Sequence, residues 1–288
     1  MSFGSSYFTL PRFKYERPGS LEEALELLSE HGEEAKPMAG GVGLLAFMKE
    51  RLVDAKYVLD LKGIPELRRL EYERGSGLTV GATVTLGELE EYPIVKERYG
   101  ALYDAIRVLS DPILRNRSTL MGDLCEAIPW VDSPPPLMVL NAEVGVSKAG
   151  GATRTVRAKD FITGAAENAL QPDEIATSIF IPEPPDGSRS AYLKFSAGTE
   201  FGIASVAGLA SGREVRLAYG CIAAVPVEPV EAEEVFRGAG EAGELMSRAL
   251  KVIDETVEPF TDTLGTAEYR KNIIQVLTGD LFRRLFGG

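Results

Sequence analysis

The part of the sequence best suited to ligand chemistry is a glycine cluster, Ala39-Gly40-Gly41-Val42-Gly43, between an extended segment and a helical pattern. Three glycines within four positions leave the backbone without Cβ atoms, so it can adopt positive φ and approach a ligand closely. The helix predicted from Leu44 to Arg51 places unpaired N–H groups and a positive dipole end directly after the glycines. The cluster therefore favours a phosphate or pyrophosphate, with an ordinary tight turn as the alternative.

A second loop, Arg115 to Leu124, has similar properties. Its two arginines, a Ser-Thr pair and a glycine supply cations, hydroxyls and accessible N–H groups, which suit a diphosphate or a ribityl chain. Asp132, a few residues later, can accept a hydrogen bond from a ribose or a flavin ring. It can also cap the helix predicted from Pro134 to Leu140, and the two roles are compatible.

A dinucleotide-binding Rossmann unit is a competing interpretation of the same residues. Gly41 to Ala46 matches G-x-G-x-x-A, and Asp60 ends the following strand where a ribose-binding acid is expected. The helix after the glycines is short for a crossover, however, and glycine-turn hairpins follow where strand–helix alternation should continue. A P-loop is excluded, because the sequence contains no G-x-x-x-x-G-K-[ST].

Composition narrows the class of protein further. The 288 residues are 44% hydrophobic and 26% charged, which is typical of a globular protein with a substantial core. Two cysteines without a C-x-x-C pair cannot build an iron–sulfur or thiolate zinc site, and they favour a reducing, cytoplasmic location. No apolar run is long enough to span a membrane, and a net charge of −12 opposes nucleic-acid binding.

The elements that must position the two loops follow from the periodicity. Up to Leu61 the periodicity predicts the order strand, helix, strand, helix, strand, which indicates a small parallel unit. The first of these helices begins at Leu21 and ends near His31, and we interpret His31 as a solvated cap partner. A linker-like run from Pro182 to Gly187 predicts a domain boundary. Beyond it the pattern predicts three strands followed by helices, at Ala191–Ser196, Ile203–Ala210, Val215–Ile222 and about 232–286.

Several motifs in a fixed order resemble the flavin-binding medium subunit of the molybdenum hydroxylases, the group that includes carbon monoxide dehydrogenase, xanthine dehydrogenase and aldehyde oxidoreductases. The resemblance runs nearly end to end. Its motifs are F-x-Y-x-R-P-x-S at Phe13–Ser20, A-G-G at Ala39–Gly41, R-x-x-x-T-[IL]-G-G-[ND] at Arg115–Asp123, P-x-x-D at Pro129–Asp132, Y-x-K at Tyr192–Lys194 and A-E-Y-R at Ala267–Arg270.

The resemblance implies an α+β fold. A two-lobed FAD-binding domain of the vanillyl-alcohol oxidase type would cover residues 1–181, with lobes of about 1–62 and 63–181. A small domain with a three-stranded antiparallel sheet and a helical bundle would cover 188–288. The implied FAD-binding residues are Ala39, Gly40, Gly41, Val42 and Gly43 with Thr119, Leu120, Gly122 and Asp123 at the pyrophosphate, and Asp132, Tyr192 and Lys194 at the flavin.

The implied role is electron transfer, with no catalytic or metal-binding residue on this chain. A large molybdenum-cofactor subunit would oxidise the substrate, a small iron–sulfur subunit would relay electrons, and FAD would pass them to an external acceptor, in a dimer of heterotrimers. The scarcity of histidine and cysteine is consistent with this role. The alternatives are a structural subunit that has lost FAD and a free-standing FAD oxidoreductase, for which we find no candidate base or nucleophile.

Four departures from the family pattern bear on FAD binding. Val42 and Gly43 stand where a small polar residue is usual, which removes a hydroxyl donor. Met121 replaces the first glycine of the second loop and is expected to place a side chain where the pyrophosphate approaches. Residues 197–201 replace the basic residues and aspartate that follow Lys194, and Glu126-Ala127-Ile128 is an unusual approach to Pro129.

Overall fold

The first sheet is the small parallel unit that the sequence predicts. The computed structural model describes residues 9–196 and 201–287. Helix α1 begins because the Ser20 side chain accepts the Glu23 N–H at 3.2 Å, and it ends at Gly32, whose φ is +54°. The strands pair in the order β1-β3-β2. The elements are β1 (Lys14–Glu16), α1 (Leu21–His31), β2 (Ala35–Met38), α2 (Val42–Lys49) and β3 (Tyr57–Asp60).

A five-stranded antiparallel sheet follows, in the order β4-β5-β10-β6-β7, so that the late strand β10 closes it. Helices lie between its hairpins, and α3 begins with a capping box formed by Thr85 and Glu88. The elements are β4 (Leu70–Glu73), β5 (Gly77–Gly81), α3 (Leu86–Glu91), α4 (Pro93–Arg98), α5 (Gly100–Val108), α6 (Pro112–Arg115), α7 (Leu120–Glu126), α8 (Pro134–Val139), β6 (Glu143–Lys148), β7 (Thr153–Arg157), α9 (Ala158–Phe161), β8 (Ile162–Gly164), β9 (Glu167–Asn168) and β10 (Glu174–Pro182).

The C-terminal part is a three-stranded antiparallel sheet in chain order with three helices. Alternate side chains of its central strand enter different cores: Ala207 and Leu209 face the N-terminal part, whereas Val206 packs with the C-terminal helices. Burial on both faces explains the almost continuous apolar run. The elements are β11 (Arg189–Phe195), β12 (Ala204–Ser211), β13 (Glu214–Gly220), α10 (Val230–Arg237), α11 (Ala242–Thr256) and α12 (Ala267–Phe286).

The segment predicted to be a linker is held in place by polar contacts. Glu183 accepts a hydrogen bond from the Tyr72 hydroxyl at 2.5 Å and lies 3.4 Å from a guanidinium nitrogen of Arg98. Arg98 also contacts Asp186 at 3.4 Å. Residues 183–186 are therefore tied to the edge of the five-stranded sheet.

Some local expectations differ from the structure. His31 stacks on the Tyr57 ring, with centroids 3.7 Å apart, and is thus more than a solvated cap partner. Asp132 does not cap α8, because Ser133 is the capping residue and makes no side-chain cap bond. Helix α2 begins at Val42, two residues earlier than predicted. Within the described residues, no helix is long and apolar enough to cross a bilayer, and no cluster of metal-binding side chains occurs.

Candidate cofactor site

The glycine cluster forms the turn between strand β2 and helix α2, and its glycines carry no side chains. Gly41 has a φ of +82°, a left-handed conformation that favours glycine, and it caps the helix. The first hydrogen bond within α2 joins the Leu45 N–H to the Gly41 carbonyl at 3.1 Å. The amides of residues 42–44 precede that bond, so their N–H groups are offered to whatever lies beyond the helix start.

The two loops predicted from the sequence touch each other directly. A Cβ atom on Gly40 would lie 2.0 Å from the Arg117 carbonyl oxygen, so only glycine allows this approach. The Arg117 guanidinium donates to the Gly40 carbonyl at 3.3 Å. Residues separated by 77 positions in the chain thus form one continuous backbone surface.

The second loop is fixed from behind by buried groups. The Thr119 hydroxyl accepts the Gly122 N–H at 2.9 Å, and the Leu86 N–H donates to the Ser118 carbonyl at 2.9 Å. Leu120 is fully buried, which leaves its backbone as the only part able to meet a ligand. Gly122 is exposed. The loop therefore presents backbone and hydroxyl groups on a rigid base.

Met121 does not take the position expected from the sequence. Its side chain is 4% exposed and packs in the main hydrophobic core with Leu120 and Leu124. A side chain that lined an open cofactor groove would be exposed in a structure without ligand. The substitution of the usual glycine therefore fills the core and does not obstruct the approach of a pyrophosphate.

Arg115 is likewise structural. Its guanidinium is buried, donates to Glu90 at 2.8 Å and binds the Ser110 carbonyl at 3.0 Å. These contacts anchor the segment before the second loop. Of the two arginines predicted to face a phosphate, only Arg117 lies at the junction of the loops.

Asp132, Tyr192 and Lys194 are brought together at a buried point where the five-stranded part meets strand β11. The Tyr192 hydroxyl donates to Asp132 at 2.5 Å, and the Lys194 ammonium lies 2.6 Å from the other carboxyl oxygen. Burial raises the pKa of Asp132, and Lys194 and Tyr192 oppose that rise. Burial, followed by the charge of Asp132, raises the pKa of Tyr192 well above its usual value.

Asp123 connects this group to the second loop. Its carboxylate accepts the Ser133 N–H at 3.1 Å. Burial raises the pKa of Asp123 to about 6, the Ser133 contact opposes the rise, and the charge of Asp132 adds to it. The predicted residues Asp123 and Asp132 therefore share one low-dielectric region.

Two sets of polar residues that the sequence analysis did not assign to the cofactor site also support it. Lys62 donates to the Ala39 carbonyl at 3.3 Å and to Asp60 at 2.5 Å, and the Tyr15 hydroxyl donates to the same carboxylate. Burial alone would raise the pKa of Asp60, but its bonds with Lys62 and Tyr15 lower it. Asp60 is thus committed to holding the glycine cluster, which removes the ribose-binding acid of the Rossmann interpretation. The sequence feature that could have indicated this arrangement is a lysine two residues after an aspartate at the end of a buried strand.

Arg270 is the other supporting residue. It is fully buried, and its guanidinium donates to the carbonyls of Ile203 and Cys221. The Cys221 N–H in turn donates to the Pro129 carbonyl at 3.0 Å. Arg270 therefore braces the turn that holds the segment leading to Asp132. Its place in the A-E-Y-R motif was the only sequence signal.

The residues fit a flavin dinucleotide. A Cβ atom on Gly40 would meet the Arg117 backbone and one on Gly41 the Met38 side chain, so glycines are needed to form this turn, and the start of α2 offers free amides for a pyrophosphate. Near Asp132, the Trp130 indole N–H is buried without an acceptor in the described part of the chain, and its ring packs edge-on against Phe201 at 5.3 Å. The altered residues 197–200 lie outside the described ranges.

Comparison with known proteins defines the class. Residues 11–184 match the family described as FAD binding domain in molybdopterin dehydrogenase, and residues 195–285 match the CO dehydrogenase flavoprotein C-terminal domain. The chain therefore belongs to this flavoprotein family: it is an FAD-binding medium subunit of the molybdenum hydroxylase type, an oxidoreductase subunit, as the sequence motifs predicted.

Relatives match over nearly the full length. The glyceraldehyde dehydrogenase medium chain of Sulfolobus acidocaldarius is 31% identical, over 96% of this chain and 99% of that protein. The carbon monoxide dehydrogenase medium chain of Afipia carboxidovorans is 31% identical, over 92% and 93%. The solved structure of carbon monoxide dehydrogenase from Hydrogenophaga pseudoflava superposes with a TM-score of 0.91 at 30% identity, covering 97% of this chain and 99% of that one.

Proposed function

We propose that this chain transfers electrons through FAD in a complex with two partners. A large subunit with a molybdenum cofactor oxidises the substrate, a small subunit relays electrons through iron–sulfur clusters, and FAD on this chain passes them to an external acceptor. The complex is a cytoplasmic dimer of heterotrimers. Relatives named as medium chains of dehydrogenases support this assignment.

The contact of Gly40 with Arg117 is the observation that carries the cofactor assignment. It joins the two loops into one continuous backbone surface. In our proposal, the parallel unit and the five-stranded part are the two lobes of the FAD-binding domain. The pyrophosphate is held between them by Ala39–Gly43 on one side and by Thr119, Leu120, Gly122 and Asp123 on the other.

Bound FAD supplies the redox chemistry, and the protein supplies position and electrostatics. The amides at the start of α2 hold the negative phosphates. Asp132 fixes the Lys194 ammonium by a 2.6 Å ion pair and the Tyr192 hydroxyl by a 2.5 Å hydrogen bond, so a positive charge and an aromatic ring stay at defined points beside the flavin. The burial of this group keeps water away from the ring end of the site.

A structural subunit without FAD is the second candidate function. The departures from the family pattern were the reason to consider this function. Because Met121 lies in the hydrophobic core, its substitution no longer counts against FAD binding. A free-standing FAD oxidoreductase is less well supported, because relatives that match over nearly the whole chain are named as medium chains of dehydrogenases.

The first test is the absorption spectrum of the purified chain, with the released cofactor identified by chromatography. Bands near ~370 and ~450 nm and about one FAD per chain are expected for bound flavin. A chain that stays colourless after incubation with FAD, alone and in the assembled complex, contradicts FAD binding and supports the structural role.

The second test addresses electron flow. In the assembled complex, substrate should bleach the flavin absorbance, whereas the isolated chain with FAD should not respond to substrate. Bleaching in the isolated chain contradicts the assignment of substrate oxidation to a partner. Absence of bleaching in a complex that contains all cofactors contradicts the electron-transfer role.

A further inference from the structure

Glu126 lies against the start of helix α2. It is the last residue of α7, and α2 packs on α7. A Cβ atom on Gly43 would lie 2.2 Å from one carboxyl oxygen of Glu126 and 2.7 Å from its carboxyl carbon. The carboxyl group therefore occupies the space of a side chain at position 43. Gly43 and Glu126 therefore form one packing unit.

The charged side chains near this carboxyl group oppose its ionisation. Helix α2 carries no charged side chain in its first turn, and α7 carries no basic residue in its last. Asp123, one turn earlier on α7, is the charged group that acts on it, and Arg117 is engaged with the Gly40 carbonyl. Glu167 of β9, which packs on α7, is turned toward Gly164. Burial, then the charge of Asp123, raises the pKa of Glu126 to about 7.

The Glu126 carboxyl group has no hydrogen-bond partner within residues 9–196 and 201–287. The carboxyl group lies beside Gly43, whose amide belongs to the free N–H groups at the start of α2. A carboxylate at this position would compete with a phosphate for those amides and repel it. A neutral carboxyl group would instead offer one O–H donor.

We propose that Glu126 is a binding residue for the FAD pyrophosphate and acts in its protonated form. Its carboxyl O–H donates to the phosphate held at the start of α2. When FAD binds above neutral pH, the carboxylate takes up one proton from solvent and no covalent bond changes. This inference rests on the proposed function, because it requires a pyrophosphate at the glycine cluster.

The test compares FAD affinity of the full-length chain, freed of cofactor, at pH 6.5 and 8.5, for the wild type, Glu126→Gln and Glu91→Gln. Glu91 is the exposed last residue of α3 and serves as the matched control. The dissociation constant of the wild type and of the control should rise at least about 10-fold between these pH values, since one proton is linked to binding. Glu126→Gln, whose amide is a donor at every pH, should change less than about 3-fold.

Calorimetry in two buffers of different ionisation enthalpy gives an independent readout. At pH 8, the wild type should take up nearly one proton per FAD, and Glu126→Gln far less. An equal pH dependence and equal proton uptake in both proteins would overturn the role of Glu126 while leaving FAD binding intact. Failure of the wild type to bind FAD at either pH would instead overturn the proposed function, and this inference with it.

A pair of further variants tests the contact itself. Gly43→Ser should lower FAD affinity at pH 6.5 by at least about 10-fold, because its Cβ displaces the carboxyl group from the site. Gly43→Ser combined with Glu126→Ala should recover most of the loss, since the serine hydroxyl then has room. Additive effects of the two changes would show that Gly43 and Glu126 do not act as one unit and would overturn the inference.

Discussion

The Lys194 ammonium nitrogen lies 2.6 Å from Oδ2 of Asp132, and both side chains are almost completely buried. The pair joins strand β11 of the C-terminal sheet to the segment that leads into α8. A buried ion pair of this kind holds two parts of a protein in one arrangement, because each charge depends on the other for its solvation.

Replacement of Lys194 by Met should therefore destabilise the chain strongly. Among the described residues, the change leaves the buried Asp132 carboxylate with the Tyr192 hydroxyl as its one side-chain partner, at an expected cost of about 3–5 kcal/mol in the free energy of unfolding. Urea denaturation measures it. Combining Lys194→Met with Asp132→Asn should restore most of the loss, since no unpaired charge then remains. A double variant as unstable as the sum of its single changes would contradict the ion-pair interpretation.

Lys62→Met should weaken FAD binding. Lys62 holds the Ala39 carbonyl, and its loss frees the glycine cluster and leaves Asp60 without its cation. We expect the dissociation constant to rise roughly 10-fold, about 1.4 kcal/mol, as measured by quenching of flavin fluorescence. Lys56→Met is the matched control, because Lys56 precedes the other end of strand β3 and makes an exposed ion pair with Glu34. Equal losses in the two variants would contradict a specific role of Lys62.

Gly40→Ala tests the contact between the two loops. The added methyl group would meet the Arg117 carbonyl oxygen at 2.0 Å, so the loops must separate. We expect a loss of about 1–3 kcal/mol in unfolding free energy and at least a 10-fold loss of FAD affinity. In Gly243→Ala, whose Cβ would meet nothing within 4 Å, stability should stay unchanged or rise by up to about 1 kcal/mol. Normal FAD affinity in Gly40→Ala would show that the contact does not shape the site.

The pH dependence of stability should include a contribution from Glu233. This buried residue accepts the Leu217 N–H at 2.7 Å, and burial raises its pKa to about 7 against the opposition of that bond. Because the pKa is higher in the folded than in the unfolded chain, the stabilisation is complete below about pH 4.5 and is lost as pH rises through about 7.

Glu233→Gln should accordingly flatten the stability profile between pH 5 and 8. The difference between the wild type and the variant should change by on the order of 1–3 kcal/mol across this range, as followed by urea denaturation at each pH. The amide oxygen of the variant can still accept the Leu217 N–H, so its stability at the acidic end should stay close to that of the wild type. Parallel profiles for the two proteins would contradict the raised pKa.

The sequence alone determined the order of elements and the two loops. Periodicity and capping residues act over a few positions, so the helix that Ser20 starts and the capping box of Thr85 and Glu88 could be predicted from neighbours in the chain. The glycines of the cluster were likewise a local signal, because their conformation depends on the absence of a Cβ atom. The family motifs then indicated that the cofactor is FAD.

Only the tertiary structure determined which residues that are distant in the sequence contact one another and how those contacts change their properties. It placed Met121 in the core, assigned Asp60 to Lys62, and set Glu126 against Gly43, 83 positions away in sequence. Burial and charge pairing arise when separate segments pack, and they control whether a carboxyl group is ionised. No local pattern contains that information, which is why Glu126 and Arg270 became interpretable only after their surroundings were known.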